Sequence, residues 1–155
     1  MALAASPRLA WATLAAGLWW GSLTALCAVV VPLLFAHLPT AQLAGGMAAR
    51  LFSAQTWLSA ACALLLLMVF NRTEDETLQR LGRLLLRWVV AGFLFALLLE
   101  LAVAPRILLA RGDAQALRWW HALGSALMLM QWLCAAWVFW RLARRTRIGE
   151  SEPGS

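Results

Sequence analysis

The chain has 155 residues, of which 63% are hydrophobic and 13% charged, with a mean hydropathy of +0.76 and a formal net charge of +6. A soluble domain carries about 45–50% apolar and about 25% charged residues, so this composition excludes an ordinary water-soluble fold. All 13 basic residues are Arg and cluster at the ends of apolar runs rather than interleaving with aromatics on a polar face. That placement serves membrane topology and excludes a nucleic-acid partner.

Four runs are long enough to cross a bilayer. No Asp, Glu, Lys or Arg occurs between Arg8 and Arg50, between Arg50 and Arg72, or between Arg87 and Glu100, and the run from Arg118 to Arg141 holds only His121 and Cys134 as ionisable groups. About 20 apolar residues at ~1.5 Å each cover a hydrocarbon core of ~30 Å. The expected fold is an all-α four-helix transmembrane bundle, with helices near 8–36, 51–70, 74–104 and 113–142. It forms a single unit over 1–148 with a disordered tail at 149–155. The first run exceeds a signal-peptide core of ~7–15 residues and reads as an uncleaved anchor.

In helix 1, Thr13, Gly17, Gly21 and Ala25 recur every fourth residue. Small residues at this spacing form a stripe against which a neighbouring helix packs closely. Pro32 is expected to kink or end the helix. A loop with His37, Pro39, Gly45, Gly46 and Arg50 follows, in which 40–50 could form a short interfacial helix. Helix 2 then ends at Asn71-Arg72. Glu74, Asp75 and Glu76 suit the N-terminus of helix 3, with Thr73 as N-cap. Glu76 can pair with Arg80, and Arg80, Arg83 and Arg87 lie on one face as a headgroup anchor. Pro105 is expected to close helix 3, and Asp113 to cap helix 4. Trp88, Trp119, Trp120, Trp137 and Trp140 fit interfacial belts, whereas Trp19, Trp20, Trp57 and Trp132 fit the bundle interior. Cys27, Cys62 and Cys134 lack metal-site spacing and read as small buried hydrophobes.

Four spans place both termini on one side. That side holds Arg8, Arg72, Arg80, Arg83, Arg87, Arg141, Arg144, Arg145 and Arg147, against Arg50, Arg106, Arg111 and Arg118 on the other. The excess places both termini in the cytoplasm, in a bacterial inner membrane.

The side chains most costly in lipid gather toward the outer end: His37, Glu100, Arg106 and His121, with Ser53 and Gln55 at a similar level and Ser125 one turn beyond His121. Three readings stay open. Glu100 pairs with Arg106 or Arg118 and His121 bonds a neighbouring helix, which is purely structural. Alternatively His37 and His121 hold a transition metal or haem iron, with Glu100 or Met47 assisting. Third, the cluster lines a polar cavity that binds or moves a small solute or protons. No nucleophile elbow, phosphate loop or HExxH motif supports catalysis. The leading expectation is no cofactor, with the lipid bilayer, a second copy or another membrane protein as partner.

Several short stretches carry a resemblance. They are Trp19-Trp20-Gly21, Val31-Pro32-Leu33-Leu34-Phe35 with Leu38-Pro39, Arg50-Leu51-Phe52, Ala104-Pro105-Arg106-Ile107, and Leu117 to Ser125 around His121. Their order over residues 9 to 140 resembles the bacterial relatives of transmembrane protein 205, a domain-of-unknown-function family. The resemblance implies a four-helix inner-membrane protein. The eukaryotic relative's association with platinum-drug resistance implies handling of metal compounds, with export or tolerance as the role. More distantly the layout is similar to the copper-resistance protein D family and the four-helix membrane protoporphyrinogen oxidase, which implies metal or porphyrin chemistry. Pro105, Arg106 and His121 match the family pattern. Helix 1 departs from the haem relatives by having no histidine in its interior.

Overall fold

The computed structural model describes residues 7–72 and 76–150. These form four long helices and short connections, with no strand among the described residues. Helix α1 comprises Pro7–Ala25, a π turn Leu26–Val30 and Val31–His37. Helix α2 is Ala41–Asn71. Helix α3 comprises Glu76–Leu98, a π turn Leu99–Val103 and Ala104–Leu109. After a 3₁₀ turn at Ala110–Gly112, α4 runs from Ala114 to Glu150. All four are long and apolar enough to cross a membrane. A 31-residue span rises ~46 Å, enough for the hydrocarbon core and both headgroup layers.

The helices are longer than the sequence pattern indicates, for identifiable reasons. Neither Pro32 nor Pro105 ends its helix. Each follows a π turn, in which Val31 N–H bonds Leu26 C=O and Ala104 N–H bonds Leu99 C=O. Proline has no N–H and its ring clashes with the carbonyl four residues back. The wider π turn places the proline at the opening of the next α segment, where it is tolerated. The two segments, Leu26-Cys27-Ala28-Val29-Val30-Val31-Pro32 and Leu99-Glu100-Leu101-Ala102-Val103-Ala104-Pro105, put Leu, Val and Pro at matching positions. Helix α1 stops instead at His37, because Leu38 precedes Pro39 and adopts an extended conformation.

Residues 41–50 are the first turns of α2 rather than a loop. Thr40 is extended and its Oγ1 accepts from Leu43 N–H at 3.3 Å, an N-cap that starts the helix ten residues earlier than expected. Asp113 caps α4 as expected, with Oδ1 accepting from Gln115 and Ala116 N–H. Glu76 and Arg80 pair at 3.7 Å, fully in solvent. Helix α4 continues through Gly149 and Glu150, both expected to belong to the tail. Residues 151–155 lie outside the described residues, as do Thr73, Glu74 and Asp75.

Each helix packs against its two sequence neighbours, and α4 closes the ring against α1. In lipid there is no hydrophobic force between helices, so close approach and hydrogen bonds hold them. The inward stripe of α1 is Ala12, Ala16, Trp19, Leu23 and Leu26, spaced by helical periodicity. It lies one residue away from the small-residue stripe. Of that stripe, Gly17 meets Phe139 of α4, with an added Cβ lying 3.2 Å from Cε2, while Gly21 faces open space and Ala25 is exposed. The tightest glycine is Gly92 of α3, where a Cβ would lie 2.7 Å from Trp19 Cη2 and 3.1 Å from Cys134 Cβ. Gly92 thereby admits the fully buried Trp19 indole across the centre of the bundle.

Trp57 is 74% exposed and Cys27 is exposed, so both face lipid rather than the interior. The Arg-rich end carries a belt. Arg87 lies by Trp88, Arg141 by Trp137, and Arg144 only 3.7 Å from the Trp140 ring centroid. Trp137 also packs tilted against both Trp88 and Trp140.

The glycine roles predict opposite outcomes. Gly92→Ala must displace Trp19 and should lower stability by about 1–3 kcal/mol. Gly21→Ala adds a methyl group in open space and should be neutral or stabilising by up to about 1 kcal/mol. Thermal unfolding of the purified protein in detergent checks both.

Candidate functional site

Two polar layers cross the bundle. The first lies within a turn of the middle of the spans and consists of uncharged groups. Ser59 of α2, fully buried, sits at its centre. Its Oγ donates to Gln55 C=O at 2.8 Å and accepts from Gln131 Nε2 of α4 at 2.9 Å and from Gln55 Nε2 at 3.5 Å. Gln55 Nε2 also donates to Ser22 Oγ of α1 at 3.0 Å, and Ser22 in turn donates to Trp19 C=O. Ser22, Gln55, Ser59 and Gln131 thus join α1, α2 and α4. Beside them Trp132 Nε1 donates to Thr24 Oγ1 at 2.8 Å, a second link between α4 and α1. Trp20 stacks on Phe139 and tilts against Trp132. The Nε1 atoms of Trp19 and Trp20 are buried without an acceptor, an uncommon state for an indole in a water-free interior.

The second layer is Glu100. It lies in the π turn of α3, ~9 Å from the middle of its span toward the Pro105 end. Ser53 of α2 donates to Glu100 Oε1 at 2.6 Å, the short length of a hydroxyl bonded to a carboxylate. Both residues are half-buried. The neighbouring Leu101 and Ala102 are exposed, so the carboxyl sits at the edge of the lipid-facing surface.

The other outer-end residues do not join Glu100. Arg106 neither pairs with Glu100 nor does Arg118. Arg106 lies over the Trp120 ring at 5.3 Å, while Arg118 Nε bonds Ala114 C=O of its own helix. Arg106 and Trp120 border an apolar cleft of about 480 Å³ between α3 and α4. His37 Nδ1 is 3.1 Å from Leu33 C=O within its own helix. His121 and Ser125 both face outward from α4. No hydrogen bond or ion pair links His37, Glu100, Arg106 and His121 to one another among the described residues. Among the described residues, no group of three or more His, Cys, Asp or Glu side chains is placed to hold a metal ion. Met47, also weighed as a ligand, is exposed on α2.

Gln55 therefore belongs to the mid-membrane layer rather than to an outer cluster. Ser59, Gln131, Ser22, Thr24 and Trp132 escape a search for ionisable residues. Their signal is present nonetheless: Gln131 is the one carboxamide between Arg118 and Arg141, and it stands at mid-span like Gln55.

Because Ser59 serves two glutamines, its loss should exceed that of either. Gln131→Met removes one interhelical bond and should cost about 0.6–1.7 kcal/mol. Ser59→Ala deletes a single oxygen but strands the Gln131 amide and weakens the hold on Gln55. It should cost more than Gln131→Met, because unpaired buried donors carry the full desolvation penalty. Unfolding measurements in bicelles give the ranking.

No curated protein and no solved structure matched the chain. The family model described as "Domain of unknown function (DUF4149)" matches residues 14–116, which take in most of α1, all of α2 and α3 and the first three residues of α4. With that match spanning well over half of its length, this multi-pass membrane chain belongs to the DUF4149 family.

Proposed function

We propose that the chain is a non-enzymatic membrane protein that engages a small cationic solute at Glu100, with Ser53 positioning the carboxyl. One observation carries this reading. Glu100 is an acidic side chain inside a span, partly exposed, and its partner among the described residues is a single hydroxyl. Acidic groups at such depth are costly and mark ion or solute sites. One carboxyl and one hydroxyl, without imidazole or thiolate, suit a proton or an organic cation better than a transition metal or haem iron. The surrounding exposed leucines favour a cation with apolar substituents. A role in export or tolerance, as the resemblance to the transmembrane protein 205 relatives implies, fits such a ligand.

The test uses the purified chain with tetraphenylphosphonium as probe and zinc chloride as the metal comparison. Wild type should bind tetraphenylphosphonium, and Glu100→Gln should weaken binding about tenfold or more, as for a lost charge-assisted contact. Ser53→Ala should weaken it less. Equal affinity in wild type and Glu100→Gln overturns the proposal, and tight zinc binding that Glu100→Gln abolishes redirects it to metal.

The outward-facing His121 and Ser125 favour a second reading, an accessory subunit whose membrane partner covers that face of α4. Co-purification of a stable partner that His121→Leu and Ser125→Leu together abolish would support it.

For localisation, the Arg distribution supports a bacterial inner membrane with both termini in the cytoplasm. A fluorescent protein fused after Ser155 should then fluoresce, and an alkaline phosphatase fused there should stay inactive.

A further inference from the structure

At the Arg-rich end a cleft of about 530 Å³ opens between α2 and α3. Its rim carries Asn71 and Arg72 from the end of α2, with Gln79 and Arg83 from the start of α3; Leu67 and Leu86 line it deeper in the span. Helix geometry explains the grouping. Gly82 lets α3 press onto Phe70, since a Cβ there would lie 2.8 Å from Phe70 Cβ. The two helices touch at that point, and the residues flanking it line the opening. Arg8 of α1 reaches the same corner, donating from Nη1 to Arg72 C=O at 2.9 Å. Among residues whose side chains are described, the acidic group at this end is Glu76, and it pairs with Arg80 instead.

Two guanidinium groups from different helices therefore share one rim with two carboxamides, above an apolar floor. Guanidinium forks match phosphate oxygens two at a time, and carboxamide N–H groups can complete a headgroup's bonds. A basic pocket between transmembrane helices at the headgroup level, continuous with apolar surface below, matches an anionic phospholipid in both halves. Three other Arg residues of this end differ in kind. Arg87, Arg141 and Arg144 lie on Trp rings and form a general anchor.

We infer that the α2–α3 cleft binds one anionic phospholipid of the adjoining leaflet, its phosphate held by Arg72 and Arg83 and an acyl chain lying along Leu67 and Leu86. Such a lipid would brace the α2–α3 junction independently of any ligand at Glu100, which lies toward the opposite end of α3.

Native mass spectrometry of the full chain from detergent tests the site. Phosphatidylglycerol and phosphatidylcholine with identical acyl chains serve as probes. Wild type should retain phosphatidylglycerol preferentially. The Arg72→Gln, Arg83→Gln double variant should lower its retention about tenfold and leave phosphatidylcholine unchanged. Arg80→Gln with Arg87→Gln removes the same charge outside the cleft and should have little effect; an equal loss there means diffuse surface attraction and overturns the site. Leu86→Trp fills the floor at an exposed position without touching charge, and it too should lower phosphatidylglycerol retention. Wild-type retention in Leu86→Trp, or displacement of phosphatidylglycerol by excess glycerol 1-phosphate, overturns a seated lipid in favour of a free anion site.

Discussion

The Ser59 hydroxyl is the point on which the bundle's interior turns. Water is absent at that depth, so a buried amide has to find its partner within the protein. Ser59 Oγ accepts from Gln131 of α4 and Gln55 of α2, and it donates to the Gln55 carbonyl. Gln55 reaches onward to Ser22 of α1. Three helices are thereby fixed in rotation and in height. A slip of one residue in α2 would turn Gln55 and Ser59 by about 100° and leave amides facing hydrocarbon. Apolar packing alone tolerates such slips far better, because lipid tails and leucines are interchangeable neighbours.

Helix α3 takes no part in that network and is placed by other means. Gly92 opens a slot for Trp19, Gly82 receives Phe70, and Ser53 reaches Glu100. The first two contacts are steric, and the third is a single bond toward the Pro105 end of α3. The π turn matters here. An α-helix through Leu99–Val103 would place one residue fewer per turn of chain and rotate everything after it relative to everything before. The wide turn lets Val89, Gly92 and Ala96 face inward on one side of it and Val103 on the other. It also absorbs Pro105. The equivalent turn before Pro32 puts Cys27 where α3 has Glu100, so the same backbone device carries an apolar thiol in one helix and a carboxyl in the other.

The number and type of helices were legible because charge is so unevenly spread; the runs bounded by Arg8, Arg50, Arg72, Arg87 and Arg141 allow little else. Helix ends were legible where a cap has a fixed local chemistry, as at Asp113. Thr40 offers the same chemistry, but the Gly-rich stretch after it and Arg50 pull the reading toward a loop. Pro32 and Pro105 mislead because their steric rule holds for the α-helix, and a π turn relaxes it. The phase of α1 was hidden for another reason. The Thr13-Gly17-Gly21-Ala25 spacing describes a smooth stripe but not what faces it, and the adjacent stripe through Ala16 and Trp19 is the one buried. A search for costly residues by charge finds Glu100 and overlooks Gln131, although a neutral amide at mid-span also requires a partner.

The two polar layers differ in a way that separates structure from chemistry. In the mid-membrane layer both glutamine amides and the Ser59 and Ser22 hydroxyls bond within the bundle, and each side chain is wholly or largely enclosed. A ligand entering there would have to break internal bonds in a space already filled by Trp19, Trp20 and Trp132. Glu100 stands apart by its one short bond among the described residues and by its flank of exposed leucine and alanine. A similar contrast holds among arginines of the opposite end, where Arg87, Arg141 and Arg144 lie on tryptophan rings while Arg72 and Arg83 line an open cleft. In both cases the partly exposed groups occur where α3 meets α2, one of the two seams that the central network does not cross. A ligand bound at either end of that seam would therefore supplement the few links that α2 and α3 make there, Ser53 to Glu100 and Phe70 against Gly82.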